Sequence, residues 1–428
     1  MFYMAQGERR FFRTCLKWLA GYDKQAVLRN LDQIAEFGRW DDLYALVDTP
    51  CEYEALYAFG KQLAIDYKSI GAISLAGKWA ASENASSATT KRFGRKTAHV
   101  MGLTSRQYRV VLSTLRERIR VLERLMSANR WDEIEFDKIP SKAGLIYKNA
   151  FARRDLIKAK YEAFAKDTNT KVNAGTLYPY EVVQKAIKVM GSNDYWGRRP
   201  VRVDNTDRLM INKYWDNLTD YFHGMSLNAL VVCDTSGSMT SGSGKVAPID
   251  VATSLALYAA ERAAGPFKGT YISFSREARL IHTTGVDFCD KVDRIVRANL
   301  CENTNLQSVF DLVLKTAVVN HLTSKDMPEA LVIISDMEVD SFQGYGSHPD
   351  YQLFMDKIRN RWANNGYKLP KLVLWNVNAR HDTILDVGPD VTCVSGASAV
   401  TFEMVLSGKS AVDMMMDKLN STRYSVIH

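Results

Sequence analysis

The chain has 428 residues, 46% hydrophobic and 24% charged, which excludes intrinsic disorder and is too long for one ordinary core, so two or three domains are expected. Its net charge of +8 conceals a split: residues 1–225 hold 37 basic and 26 acidic side chains, the remainder 19 and 22. A surplus confined to one half points to a polyanion partner for that half, while no run approaches the ~18 apolar residues of a membrane span.

The first residues, MFYMAQGERRFFRT, contain no apolar leader segment and no cleavage pattern. Six cysteines (Cys15, Cys51, Cys233, Cys289, Cys301 and Cys393) show no C-x-x-C pair and no disulfide rhythm. Reduced, mostly buried thiols and a cytoplasmic location are expected.

Residues 5 to about 190 carry helical periodicity. AVLRNLDQIAEFG and EALYAFGKQLAIDYKSIGAISLAGKWA show apolar stripes with short breaks. In RQYRVVLSTLRERIRVLERLM, Tyr108, Val111, Leu112, Leu115, Ile119, Leu122 and Met126 recur at three- and four-residue steps, with Arg and Glu between them. DLIKAKYEAFAKD and YPYEVVQKAIKVMG complete the series; Pro179 and Glu181 suit a first helical turn, and Gly191 a stop. Helices joined by short polar turns suggest stacked hairpins of the solenoid kind, so 1–191 is read as a HEAT-like α-helical repeat domain.

Residues 192–225 are polar and aromatic with weak periodicity, and are read as a linker or packing strap. From 226 to 428, short apolar runs (NALVVCD, GTYISFS, ALVIISD, KLVLWNV, VTCVSG) alternate with helical stretches. That grammar predicts an α/β domain, doubly wound, with a mostly parallel sheet covered on both faces. Functional groups then belong at the C-terminal ends of the strands.

Asp234 follows the first of these runs in ALVVCDTSGSM, with Ser236 and Ser238 at alternate positions after it. Asp336 follows ALVIIS in the same way, and Thr304 stands at the mouth of another helix. Singly, such Ser and Thr are most simply helix caps. Together, two carboxylates and three hydroxyls on three loops at one sheet edge form a hard-oxygen set suited to Mg²⁺, with Mn²⁺ an alternative. The low carboxylate count leaves the metal with charge to attract an acidic or phosphate group from outside.

Asp-x-Ser-x-Ser, a distant Thr and a strand-terminal Asp on an alternating α/β chain resemble the von Willebrand factor A domain and its metal-ion-dependent adhesion site. The resemblance covers roughly 226–428 and implies Mg²⁺ held by Asp234, Ser236, Ser238, Thr304 and Asp336, with solvent or a partner carboxylate completing the shell. QIAEFGRWDDLYALV, residues 33–47, resembles a helix-hairpin segment of Ro-type proteins, in which a helical-repeat (TROVE) domain precedes such an A domain. LAGKWAAS and YRVVLSTLRERIRVLERLMSANRWDEI resemble related A-domain proteins of plants and bacteriophages. The Ro resemblance implies binding of small structured or misfolded RNA in a ribonucleoprotein.

Within the helical half, residues 91–130 hold 11 basic and 2 acidic side chains. Lys91, Arg92, Arg95, Lys96, Arg106, Arg109, Arg116, Arg118 and Arg120 are the candidate phosphate contacts, with Phe93 and Tyr108 as candidate base-stacking rings. Arg198 and Arg199 beside Tyr195 and Trp196 form a second set.

Catalysis is not expected. An aspartyl-nucleophile phosphatase wants a second Asp where Ser236 stands, and SGSGKVAP lacks the spacing of a phosphate-binding loop and a hydroxyl after Lys245. No base is placed to activate a serine. Seven histidines include no H-x-x-x-H pair. The alternative to an RNA-binding protein is a metal-dependent protein-interaction scaffold, or a structural part of a larger assembly such as a virion, whose partner donates an acidic residue to the metal.

Overall fold

Helical periodicity in the first third of the chain resolves into helices of unequal length. The computed structural model describes residues 9–190, 205–222, 228–240, 246–263, 267–298, 305–336, 351–378, 391–399, 401–402 and 411–428. One compact unit comprises residues 1–135 with 410–428, and a second comprises 136–409. These divisions differ from the sequence-based boundaries at 191 and 226.

The first unit contains α1 (Arg9–Tyr22), α2 (Lys24–Arg29), α3 (Gln33–Phe37), α4 (Glu52–Lys68), α5 (Ala76–Trp79), α6 (Ala88–Val100), α7 (Ser105–Arg118) and α8 (Leu122–Ser127). Its core gathers Leu16, Val27, Leu43, Leu56, Phe59, Leu63, Tyr108, Leu112 and Leu115. Gly94 lets α6 approach the preceding segment, since a Cβ there would lie 2.9 Å from the Ala81 carbonyl oxygen. Helix α7 starts on a capping box in which Thr104 and Gln107 satisfy each other's backbone N–H groups. The apolar rhythm running through Met126 does not make one helix: Arg120 takes a φ of +54° and the chain restarts as α8.

The second unit begins with α9 (Ser141–Arg153), α10 (Asp155–Lys166), α11 (Pro179–Met190) and α12 (Asn205–Asp216). The expected start at Pro179 is met, and Glu181 accepts from the Tyr178 N–H at 2.9 Å. Then follow β1 (Ala229–Asp234), α13 (Pro248–Arg262), β2 (Thr270–Phe274), β3 (Ala278–His282), α14 (Phe288–Ala298), α15 (Leu306–Val319), β4 (Ala330–Ser335), α16 (Tyr351–Asn364), β5 (Lys371–Asn376) and β6 (Val391–Ser395). The six strands form one sheet in the order β3-β2-β1-β4-β5-β6, parallel except for the edge strand β3. All five apolar runs read from sequence are strands, and β1, buried at all six positions, lies at the centre.

Strand β3 was not expected. Its ARLIH sequence is half exposed and lacks the continuous apolar signature of the buried strands. Under one sheet face, Val232, Ile272, Phe274, Ile333 and Leu374 pack with Phe310 and Val313 of α15 and Trp362 of α16. Helix α13 is buried from Pro248 to Ala260, and α11 packs against it, with Gln184 donating to Asp250 at 2.8 Å. Helix α12, inside the stretch read as linker or strap, stacks Trp215 on Phe288 at 4.1 Å and sets Arg208 against both Asp287 carboxylate oxygens.

The last helix, α17 (Ala411–Leu419), and the tail after it belong to the first unit. Tyr424 stacks on Phe37 with ring centroids 5.1 Å apart, the Arg423 guanidinium lies 5.3 Å from that ring, and the His428 N–H donates to Asn30 at 2.7 Å. Among the described residues Cys15, Cys51, Cys233, Cys289 and Cys393 are free thiols, and no helix is long and apolar enough to cross a membrane.

Candidate functional site

Parallel pairing brings the ends of β1 and β4 together. Cys233 is in register with Ile334, so Asp234 stands opposite Ser335 and Asp336 emerges one residue later. Both aspartates are buried, at 0% and 3% exposure, and Ser236 is buried beside them. One Asp234 oxygen accepts from the Ser236 N–H at 2.9 Å and the other from the Ser335 hydroxyl at 2.5 Å. The Ser236 and Ser238 hydroxyl oxygens are 3.1 Å apart, and Ser238 donates to Asp336 at 3.3 Å. The Asp336 N–H points at the Met239 sulfur, 3.2 Å away.

Four of the five residues expected to hold a metal are therefore in one connected cluster; Thr304 lies outside the described residues. Two carboxylates buried side by side repel. Burial pushes the Asp234 carboxyl up to about 6, with the Asp336 charge adding to the rise, against the hydrogen bonds from Ser335 and Ser236. A cation is the natural counterpart of such a pair. The donors are hard oxygens, and only two are carboxylates, which fits Mg²⁺. No group of three or more His, Cys, Asp or Glu side chains suited to a metal occurs among the described residues. The neighbouring Cys233 thiol is pushed up by complete burial and stays protonated, so it does not compete as a thiolate.

The candidate RNA contacts have unequal fates. Tyr108 is a correction: it is fully buried and its hydroxyl donates to the Ala81 carbonyl at 3.0 Å, so its ring cannot stack on a base. Phe93 packs face to face with Tyr44, ring centroids 5.0 Å apart. Arg116 is half-buried and its guanidinium donates to the Gly77 and Ala80 carbonyls and the Ser82 hydroxyl at 2.7–3.0 Å. Arg118 donates to the Asp66 and Gly71 carbonyls at 2.7 and 3.0 Å. Both act as brackets between helices.

Arg92 pairs with both oxygens of Asp48 at 2.7 and 3.0 Å, and holds that carboxylate below its ordinary range. Lys96 pairs with Glu52 at 2.5 Å, Arg109 lies 3.9 Å from Glu83, and Arg120 reaches Glu133 and Glu135. Lys91, Arg95 and Arg106 make no side-chain ion pair or hydrogen bond among the described residues, and the latter two are exposed. Arg198, Arg199, Tyr195 and Trp196 lie outside the described residues.

A second set of exposed cations, less apparent in the sequence, lies in α9, α10 and the segment after them. Arg153, Lys158, Lys166 and Lys171 are exposed and make no ion pair among the described residues. The signal was present: residues 138–188 hold 11 basic and 4 acidic side chains. It is less dense than the run at 91–130 and interleaved with Asp155, Glu162 and Asp167.

Two family models match the chain, each described as a domain of unknown function: DUF2828 over residues 82–223 and DUF7788 over residues 228–425. An uncharacterized protein of Acanthamoeba polyphaga mimivirus is 28% identical over 427 residues, an alignment covering 90% of this chain and 70% of the relative. Among solved structures, the Ro (RSR) protein of Deinococcus radiodurans aligns with a TM-score of 0.43 at 14% identity, covering 92% of each chain.

Proposed function

We propose that this is a non-catalytic RNA-binding protein of Ro type, whose helical half contacts RNA and whose α/β domain is a von Willebrand factor A domain holding Mg²⁺. The observation that carries the metal reading is the cluster of buried Asp234, Ser236 and Asp336 with half-buried Ser238 at adjoining strand ends. Asp336 and the two serine hydroxyls are the direct donors in this reading. Asp234, with both oxygens already accepting, holds the loop and supplies charge. A bound Mg²⁺ would supply a positive centre for an outside carboxylate or phosphate, and in this reading it serves recognition or architecture.

The RNA reading is supported by cations left over after internal pairing: Lys91, Arg95 and Arg106 in one unit, and Arg153, Lys158, Lys166 and Lys171 in the other. Phosphate contacts release counterions, so affinity falls steeply with salt. Reversing Arg153, Lys158, Lys166 and Lys171 to Glu should weaken binding to a fluorescein-labelled hairpin RNA with a single-stranded tail. The log–log salt slope should shrink by about one for each phosphate that the protein no longer neutralises. Unchanged slope and affinity would remove this surface from the RNA interface, and no binding by wild type at low salt would leave the scaffold reading in its place.

A further inference from the structure

The first unit carries an exposed aromatic surface that neither the metal cluster nor the basic stretches use. On α1, Phe11, Cys15, Trp18 and Tyr22 recur at steps of four, three and four residues, so one stripe holds them all. Phe11, Trp18 and Tyr22 are 69%, 64% and 76% exposed. The Trp18 and Tyr22 rings are nearly parallel, centroids 4.8 Å apart with 12° between planes. On α4, Tyr53 and Tyr57 repeat the device: 64% and 54% exposed, 6.2 Å apart and 18° from parallel.

A salt bridge ties the turn after α1 to the start of α4. Lys24, two residues after Tyr22, places its ammonium 2.9 Å from Glu54, which lies between Tyr53 and Tyr57 in sequence. The Cys51 sulfur, at the start of α4, approaches the Lys24 carbonyl.

The acids on these elements are mostly paired, and Asp23, next to Tyr22, accepts from the Ala26 N–H at the start of α2. Glu54 is neutralised by Lys24, while Glu52 and Asp48 are held by Lys96 and Arg92. Arg10 and Lys17, seven residues apart along one flank of the α1 stripe, make no ion pair among the described residues. Neither does Lys61, one turn beyond Tyr57. Parallel rings with open outer faces, bordered by free cations, match the chemistry of single-stranded nucleic acid: bases stack on rings and the backbone meets the cations.

We infer that the ring pairs of α1 and α4 form a stacking platform for unpaired nucleotides. This rests on the RNA reading above and adds the class of RNA and its place. The platform reads no sequence, because every base offers a π-face. Paired bases are closed to it, because their faces are already stacked within the duplex.

The test compares anisotropy binding of a 12-nucleotide uridine oligomer, which has little internal stacking to compete, with that of a blunt 12-base-pair RNA duplex. The combined variant Trp18→Ala, Tyr22→Ala, Tyr53→Ala, Tyr57→Ala should lose at least about tenfold in affinity for the single strand, while duplex affinity stays within about twofold. The all-Phe counterpart keeps the rings and should restore single-strand binding. The sites are exposed, so both variants should fold, which circular dichroism checks. Wild-type binding of the single strand with no loss in the alanine variant would overturn the platform and leave the RNA reading standing. Failure of wild type to bind either RNA at low salt would remove both. If sedimentation shows a dimer that the alanine variant dissociates, with RNA affinity unchanged, the face is a self-association surface and the platform is overturned.

Discussion

Asp234→Asn separates the electrostatic cost of the strand-end cluster from its other roles. The amide keeps the size of the carboxyl and can still accept from the Ser236 N–H, while the Ser335 hydroxyl is free to rotate. Burial raises the Asp234 carboxyl from 3.8 to about 6. Its folded value lies above its unfolded one, so its contribution to stability is fully present below about pH 4 and is lost as pH rises through about 6. Two units correspond to about 3 kcal/mol over the whole window, and about half of that falls between pH 5.0 and 7.5. Without divalent metal, wild type should therefore lose more stability than Asp234→Asn between those pH values, by an amount on the order of 1 kcal/mol. Urea unfolding followed by tryptophan fluorescence measures this, since Trp215, Trp362 and Trp375 are buried in the same unit. Added Mg²⁺ should stabilise wild type at pH 7.5, by about 2.7 kcal/mol at a hundredfold excess over Kd. The gain should shrink at pH 5.0, where protons compete for the carboxylates. Equal pH slopes in the two proteins would refute the assignment of the buried charge to Asp234. Equal stabilisation of both by Mg²⁺ would put the ion elsewhere.

Two further outcomes follow from the helical unit. Tyr108→Phe removes a buried hydroxyl that donates to the Ala81 carbonyl, and should cost about 1–3 kcal/mol of stability with RNA affinity unchanged; weaker RNA binding in a normally stable variant would restore Tyr108 as a contact residue. Tyr424→Ala removes the ring stacked on Phe37, and should speed amide hydrogen exchange in α2 and α3 while leaving β1 and β4 protected; unchanged exchange would mean that the tail adds nothing to the stability of that unit.

The strand-end cluster was legible because its grammar is local. A buried parallel strand writes itself as an unbroken apolar run, and the candidate site residues are acids at the ends of such runs, Asp234 closing β1 and Asp336 following Ser335 of β4. The runs of β1, β2, β4 and β5 were found for the same reason and edge strand β6 from VTCVSG, whereas β3 was missed because Arg279 and His282 interrupt its apolar residues. Helix α12 was hidden for a related reason: its apolar contacts, such as Trp215 on Phe288, are scattered among Asn, Asp and Lys that face other partners. Apolar spacing holds no record of Arg120 adopting a left-handed φ, so the break between α7 and α8 was not visible in a rhythm that continues across it.

Availability of a charge is a tertiary property, and this explains why the densest basic run was a poor guide to which cations are left unpaired. Arg92 meets an acid 44 residues away, and Arg116 meets carbonyls 36 and 39 residues away. A count of charges within one window of forty residues does not register such pairings. A guanidinium has five donors in a fixed fork and tends to be used where helix ends leave carbonyls unmet, which is what Arg116 and Arg118 do. Arg153, Lys158, Lys166 and Lys171 have a lower local density and yet keep their charge for solvent. A polyanion responds to that residual potential, not to the count of basic letters. Electrostatic attraction by itself is blind to whether an RNA is paired. The exposed rings of Trp18, Tyr22, Tyr53 and Tyr57 would, as the inferred stacking platform, supply the discrimination that charge lacks, because stacking is open to a free base and closed to one already stacked in a duplex.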